Sequence, residues 1–308
     1  MASIAYLGPA GTFTEAALLQ MTAAGLLPRG AADSWQPLPV DSTIAALDAV
    51  RSGAAEFACV PIENSIDGSI MPTLDSLAIG TPLQIFAELT LDVSFSIAVQ
   101  PGRTAAEVRT LAAFPVAAAQ VRQWLAAHLP AAELRPAISN ADAAQQVCDG
   151  VVDAAVSSPL AVAHRGLATL ADGVVDEANA RTRFVLVGRP GRPPARTGAD
   201  RTSVVLRIAN APSALVSTLT EFGIRGIDLT RIESRPTRTE LGTYVFFLDC
   251  VGHVDDDAVA EALKALHQRC EDVRYLGSWP TGEVAGAPPP QLNEATRWLD
   301  ALRDGSAQ

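Results

Sequence analysis

Phe57-Ala-Cys-Val-Pro-Ile-Glu-Asn-Ser-Ile-Asp-Gly-Ser69 passes abruptly from apolar side chains to a cluster of carboxylates, amides and hydroxyls. Its first half, through Ile62, reads as a strand buried on both faces, the kind found in parallel sheets. A polar, glycine-containing loop directly after such a strand is where open α/β sheets hold their ligands. Glu63, Asn64, Ser65 and Ser69 supply donors and acceptors there, although Ser69 reads better as a cap for the next helix. Upstream, residues 42–50 carry Ile44, Leu47 and Val50 at helical spacing and stop at Gly53, just past the helix end. Earlier still, Ile4-Ala-Tyr-Leu7 reads as a strand, Gly8-Pro-Ala-Gly11 as a tight loop, and residues 16–24 as a helix. Thr12 or Thr14 would cap that helix, with Glu15 in its first turn. A glycine loop feeding a helix N-terminus presents backbone N–H groups to an anion. The same glycines serve equally well to make the turn.

Downstream, residues 83–99 have strand character long enough to leave one lobe and enter another. A strand over 110–114 leads to Pro115, which starts a helix carrying Gln120, Val121, Trp124, Leu125 and His128. A strand over 134–139 precedes a helix capped by Asn140 and closed at Gly150. Ala154-Ala-Val156 is again a strand, and Ser158-Pro159 after it is a cap followed by a first-turn proline. Residues 167–175 return to the first lobe and deliver Asn179-Ala-Arg-Thr-Arg-Phe184, ahead of a last buried strand, Val185-Leu-Val187. The rhythm predicts two α/β lobes with parallel sheets covered by helices on both faces. The hexapeptide holds an amide, a hydroxyl and two guanidiniums. Arginine offers always-charged bidentate donors and threonine a neutral one, a set suited to a small polyanion that must receive a proton. The plainer alternative is a polar loop entering a strand.

Composition narrows the chemistry. The 308 residues are 48% hydrophobic, enough for a large core and two domains. Net charge is −11, with 12 basic against 18 acidic side chains in residues 1–196 and 11 against 16 in 197–308. Neither half has the basic excess that nucleic-acid binding requires. No stretch has the length and apolarity of a membrane span, and the first residues lack the pattern of a secretory signal. A cytoplasmic protein is expected. Cys59, Cys148, Cys250 and Cys270 show no metal spacing, the four histidines are scattered, and neither a metal nor a cofactor is expected. Lys264 is the only lysine, which disfavours Schiff-base chemistry, and neither a P-loop nor a strand followed by GxGxxG is present.

Arg189-Pro-Gly-Arg-Pro-Pro-Ala-Arg-Thr-Gly198 is a linker, and the rhythm then changes. Strands over 202–208, 228–235, 243–250 and 273–278 alternate with helices over 213–222 and 255–269, the second with three acids in its first turn. The strands over 228–235 and 243–250 pair through a turn over 236–242. This order, βαββαβ, is a ferredoxin-like plait. Pro288-Pro-Pro290 precedes a short amphipathic helix over 292–302, read as a docking or packing tail. The expected division is 1–188, a linker over 189–200, 201–280, and a tail over 281–308.

Tyr6-Leu-Gly-Pro-Ala-Gly-Thr-Phe-Thr-Glu15, Val60-Pro-Ile-Glu-Asn-Ser65 with Gly68-Ser69, and Thr182-Arg-Phe184 together resemble the prephenate dehydratase family. Glu233-Ser-Arg-Pro236 resembles the motif of that family's regulatory ACT domain, and Leu276-Gly-Ser-Trp-Pro280 resembles its closing strand, with Trp279 where tyrosine is usual. The resemblance covers almost the whole chain. It departs at Phe114, where the family usually has histidine, and at Ser213, where it usually has glycine. The chorismate mutase segment fused in some relatives is not expected.

The resemblance implies a two-lobed catalytic domain like the periplasmic binding proteins, followed by an ACT domain. It implies decarboxylating dehydration of prephenate to phenylpyruvate, with Thr182 as proton donor and Gly11, Thr12, Asn64, Ser65, Gln120, Ser158, Arg183 and Phe184 around the substrate. Glu63, which would repel a dianion, is expected to orient its neighbours. An effector, phenylalanine or another aromatic amino acid, is expected at Asn210, Ala211, Pro212, Ser213, Ala214 and Leu215, facing Glu233, Ser234, Arg235 and Pro236 of a second subunit in a homodimer or tetramer. Three rivals stand beside this reading: the same chemistry on arogenate, a two-lobed binding protein without turnover, and a sensor with a dead catalytic lobe.

Overall fold

The computed structural model describes residues 2–28, 34–177, 179–237, 242–282, 286–290 and 293–306. The chain begins β1 (Ala2–Leu7), α1 (Phe13–Ala23), β2 (Trp35–Val40), α2 (Thr43–Ser52), β3 (Phe57–Asn64), β4 (Gly68–Ser69), α3 (Met71–Ala78) and β5 (Gln84–Asp92). It continues with β6 (Phe95–Val99), β7 (Thr110–Ala113), α4 (Pro115–Gln120), α5 (Arg122–His128), β8 (Glu133–Pro136), α6 (Asn140–Cys148), β9 (Ala154–Ser157), α7 (Pro159–His164), β10 (Ala168–Val174) and β11 (Arg181–Gly188). Last come β12 (Asp200–Arg207), α8 (Ala214–Gly223), β13 (Leu229–Pro236), β14 (Tyr244–Val251), α9 (Asp257–Arg269), β15 (Asp272–Pro280) and α10 (Asn293–Arg303).

The chain divides into two compact units, Met1–Ser76 with Leu89–Val187 and Leu77–Glu88 with Gly188–Gln308. The first unit has two lobes. One sheet runs β2-β1-β3-β11-β5 with β4 folded back on β3, and the other runs β10-β6-β9-β7-β8. The sheets are mixed, not wholly parallel as the rhythm suggests. β1, β2 and β3 pair in parallel, and so do β7, β8 and β9, but β6 lies antiparallel to both β9 and β10. The reason is the double crossing. β6 carries the chain into the second lobe and β10 carries it back, so these two strands cannot both follow the βαβ direction.

β2 is not legible from pattern because Pro37 and Pro39 interrupt it. It survives as an outer strand, where a missing N–H costs no ladder bond. The helix expected from Pro115 to His128 is two helices broken at Val121. Asp176 makes the break: its N–H donates to Gln120 O (2.7 Å), and its carboxylate accepts from Gln123 N (2.9 Å) to cap α5. Ser139, not Asn140, caps α6 by accepting from Asp142 N at 3.0 Å. Thr12 caps α1 and Ser42 caps α2.

The second lobe has a core of Phe95, Ile97, Val99, Leu111, Val156 and neighbours. It also has a polar clamp. Asp153 accepts from Arg109 N (2.9 Å), Thr110 N (2.9 Å), the Thr110 hydroxyl (3.1 Å) and the Arg103 guanidinium. Burial works against its charge, but these donors outweigh it and hold the carboxyl below its usual range. A depressed folded pKa contributes stability that is present above the unfolded value, about 3.9, and lost as pH falls through the folded one. Asp153→Ala is expected to cost about 1–3 kcal/mol at neutral pH. The melting-temperature gap to the parent should shrink in acid, and a gap independent of pH would assign the loss to packing.

In the second unit the sheet order β13-β14-β12-β15 is antiparallel throughout, and the core residues of α8 and α9 pack with Val204, Leu206 and Leu248. This is the βαββαβ plait. α9 starts at Asp257, two acids later than a three-acid first turn requires. Asp256 instead pairs with Arg196 of the linker (2.8 Å) and accepts from His253 N. Ser213, before α8, has φ 64°, the left-handed conformation that favours glycine. The serine therefore keeps the glycine backbone at some strain. Residues 238–241 of the expected turn and Leu292 of the expected tail helix lie outside the described residues.

Candidate functional site

The polar end of the 57–69 stretch is part of the sheet. β3 runs on through Glu63 and Asn64, and β4 returns beside it with Ser69 opposite Glu63. Ser69 is thus a strand residue two positions ahead of α3. In the same way β11 starts at Arg181, so Thr182, Arg183 and Phe184 are strand residues. Because β3 and β11 are neighbours, two short polar segments far apart in sequence meet.

Asn64 is held by its own turn: Oδ1 accepts from Ile66 N (2.8 Å) and Asp67 N (2.9 Å). That fixes which end of the amide is the donor, and Nδ2 donates to Thr182 Oγ1 at 2.9 Å. A hydroxyl oxygen that accepts from Asn64 directs its own hydrogen elsewhere. Ser65 ties the strand ends together. Its N–H donates to Arg181 O (2.8 Å), and its hydroxyl donates to Asn179 O (3.0 Å) and accepts from Arg181 N (2.9 Å). Arg183 Nη2 lies 3.0 Å from Glu63 Oε2. Thr182 and Arg183 are each only 8% exposed, and Phe184 is buried beside them in β11. Arg181 faces outward and pairs with Asp92 at 2.8 Å.

The glycine loop joins the lobes. Gly11 has φ +94°, and a Cβ there would stand 2.8 Å from the backbone of Ala161 in α7. Ser158 donates its hydroxyl to Gly11 O while accepting from Ala161 N (3.0 Å). Thr12 donates to Leu7 O (2.8 Å) and accepts from Glu15 N (3.3 Å). Gly11 N does not point outward: it donates to Glu15 Oε2 at 2.5 Å. Glu15 also accepts from Tyr6 OH (3.3 Å), and burial together with Glu15 pushes the Tyr6 phenol up to about 12. Phe13 completes the junction with an edge-to-face contact to Phe95 of the second lobe, ring centroids 5.5 Å apart. Gln120, at the end of α4, is 8% exposed, and its Oε1 has no hydrogen-bond partner among the described residues. Glu15 and Asp176 were not singled out as site builders from sequence, although Thr12-Phe-Thr-Glu15 has capping-box spacing.

The profile of the prephenate dehydratase family matches residues 4–192, and that of the ACT domain matches residues 202–268. The chain belongs to the prephenate dehydratase family. A prephenate dehydratase from Mycobacterium tuberculosis is 76% identical over 308 residues, spanning 100% of this chain and 96% of that protein. A solved prephenate dehydratase from Arthrobacter aurescens in complex with L-Phe is 39% identical with a TM-score of 0.85, covering 98% of this chain and 100% of that one. A solved structure described as GqqA, a novel type of quorum-quenching acylase, is 30% identical with a TM-score of 0.78, covering 90% and 97%. A shared fold does not by itself settle the reaction, so the site residues have to carry it.

Within this prephenate dehydratase framework Phe114 immediately precedes α4 and packs half-buried against the second lobe's core. In the ACT region a cavity of about 390 Å³ is bounded by Arg207, Asn210, Ala211, Ala214, Leu215 and Tyr244, among others. Pro212 and Ser213 are exposed beside it, and Glu233, Ser234, Arg235 and Pro236 lie along β13.

Proposed function

We propose that the Asn64–Thr182 pair is the proton-delivering element of a prephenate dehydratase. The reaction is the decarboxylating dehydration of prephenate to phenylpyruvate, carbon dioxide and water. As the ring carbon–carboxylate bond breaks, its electron pair enters the ring, the carbon–oxygen bond at the far end breaks, and aromatisation drives both. The departing hydroxide takes the proton of Thr182 Oγ1 and leaves as water, and a proton from solvent restores the threonine. Threonine is a weak acid, so the gain comes from an oriented donor in a water-poor site rather than a tuned pKa. The observation that carries this reading is the 2.9 Å bond from Asn64 to Thr182. With one of its two lone pairs taken by that donor, the hydroxyl hydrogen points away from Asn64 and is free to donate.

Arg183 supplies the carboxylate clamp, and Glu63 holds its guanidinium in place. Backbone donors near Thr12 and the free acceptor of Gln120 complete the surroundings, while Ser65 and Ser158 hold the strand ends and the lobe junction. Pairing with Arg183 neutralises Glu63, which disfavours arogenate, whose ammonium needs an unpaired carboxylate. Incubating the pure protein with prephenate should release phenylpyruvate, with kcat/KM higher than for arogenate. Binding without turnover would return the protein to the class of two-lobed binders.

The ACT unit is read as an allosteric site for phenylalanine or another aromatic amino acid. The cavity beside Asn210 and Leu215 supports this, since an aromatic side chain needs an apolar recess with polar groups at its rim. β13 is an outer strand with Ile232 about half exposed, an edge suited to pairing with a second copy. The four cysteines are free, as a reducing cytoplasm keeps them.

A further inference from the structure

Gly11 lies in the loop after β1, and its peptide is held from both sides of the lobe junction. Its N–H donates to Glu15 Oε2 at 2.5 Å, and its carbonyl accepts from Ser158, the cap of α7 in the second lobe. Its bare α-carbon lies against Ala161 of the same helix, with no room for a Cβ. Glu15 is only 12% exposed, and its two oxygens serve two different donors. Oε1 accepts from Tyr6 OH of β1 (3.3 Å), and Oε2 accepts from Gly11 N. His164 of α7 lies 3.9 Å from Oε2, too far for a hydrogen bond.

An ordinary capping box sends the carboxylate of the third helical residue back to the N–H of the cap, here Thr12. Glu15 reaches one residue further, to Gly11, so it anchors the loop rather than closing the helix end. A carboxylate suits this place because it accepts at both ends, and its bonds to N–H groups are short and strong. An amide of the same shape accepts at one end only. We propose that Glu15 is a positioning residue: its carboxylate fixes the glycine loop where Ser158 and α7 meet it, and so sets how the two lobes of the catalytic unit come together. β1 and β3 run parallel, so this loop opens at the same edge of the sheet as Asn64. The consequence for turnover rests on the prephenate reading above, whereas the junction itself does not.

Glu15→Gln in the full chain keeps the side-chain shape and removes one of the two acceptors. Hydrogen exchange should accelerate several-fold over residues 8–14 and, across the junction, over residues 158–167, while β7 keeps parental protection. The kcat/KM for prephenate should fall about tenfold, as expected when a binding element is misplaced. Ser158→Ala loosens the same peptide from the second lobe, so the double variant should be at most about twofold slower than the slower single variant. Should Glu15→Gln fail to fold, Glu15→Asp keeps the charge but is too short to span Gly11 and Tyr6, and should give the same exchange pattern. Parental exchange over 158–167 in a folded variant overturns the proposal, since a carboxylate serving only its own helix would disturb residues 8–14 alone. Effects that multiply in the double variant likewise overturn a shared action through Gly11. If the parent protein turns over no prephenate, that reading falls, and the exchange result alone still decides the junction.

Discussion

Thr182→Ala is expected to lower kcat by about two to four orders of magnitude, the contribution typical of a positioned general acid. KM should change much less, because the proposed clamp on the substrate's carboxylates uses other groups. Thr182→Ser keeps the hydroxyl on the same strand and should keep most of the rate. The orienting role of Asn64 gives a sharper test. Asn64→Ala removes the donor to Thr182 Oγ1 and lets the hydroxyl rotate freely. Asn64→Asp places a carboxylate oxygen there, which would attract the hydroxyl hydrogen and turn it away from substrate. The aspartate variant should therefore be slower than the alanine variant, despite being closer in shape. Near-parental kcat in Thr182→Ala would reduce Thr182 to a strand residue with no chemical part.

Arg183 should show the second largest effect, in KM. It is almost fully buried and lies 3.0 Å from Glu63. Arg183→Lys retains the charge but loses the planar fork that matches a carboxylate. Losing one charge-assisted bond of about 1.5–3 kcal/mol corresponds to a rise in KM of about ten- to a hundredfold. Arg183→Ala should be worse, since it also leaves the Glu63 carboxylate facing a dianion. Adding Glu63→Gln to that variant should recover part of the loss, which a purely structural arginine would not predict. Melting curves separate binding from folding here. Unchanged KM in both single variants would move the clamp to backbone donors.

Much of the architecture is legible because local chemistry and burial agree. Phe57-Ala-Cys-Val-Pro-Ile62 is a strand wherever a sheet forms, and Ser158-Pro159 starts a helix by capping alone. The βαββαβ order is likewise readable from periodicity, and the motif residues of the family occur in sequence order. The misreadings share one cause: a distant residue decides a local outcome. Val121 reads as the middle of a helix until Asp176 arrives from beyond α7 to cap a new one. Trp35-Gln-Pro-Leu-Pro-Val40 carries no strand pattern of its own and is a strand because β1 offers it an outer edge. Gly11 reads equally as an anion cradle or a turn glycine, until Glu15 takes its N–H and Ser158 of the other lobe takes its carbonyl.

The sequence by itself determined the class of fold, the acidic character, and the types of group available for chemistry. Those follow from composition and short-range spacing, which act within a few residues. Only the tertiary structure decided which groups meet. Asn64 and Thr182 are 118 positions apart, and no local rule brings an amide to that hydroxyl. Their meeting depends on β3 and β11 lying side by side, and that order is set by two chain crossings between lobes. Which end of the Asn64 amide meets the threonine is fixed later still, by two backbone N–H groups that hold it one way round. Hydrogen bonds are directional and short in range, so this contact exists only once the strands are packed.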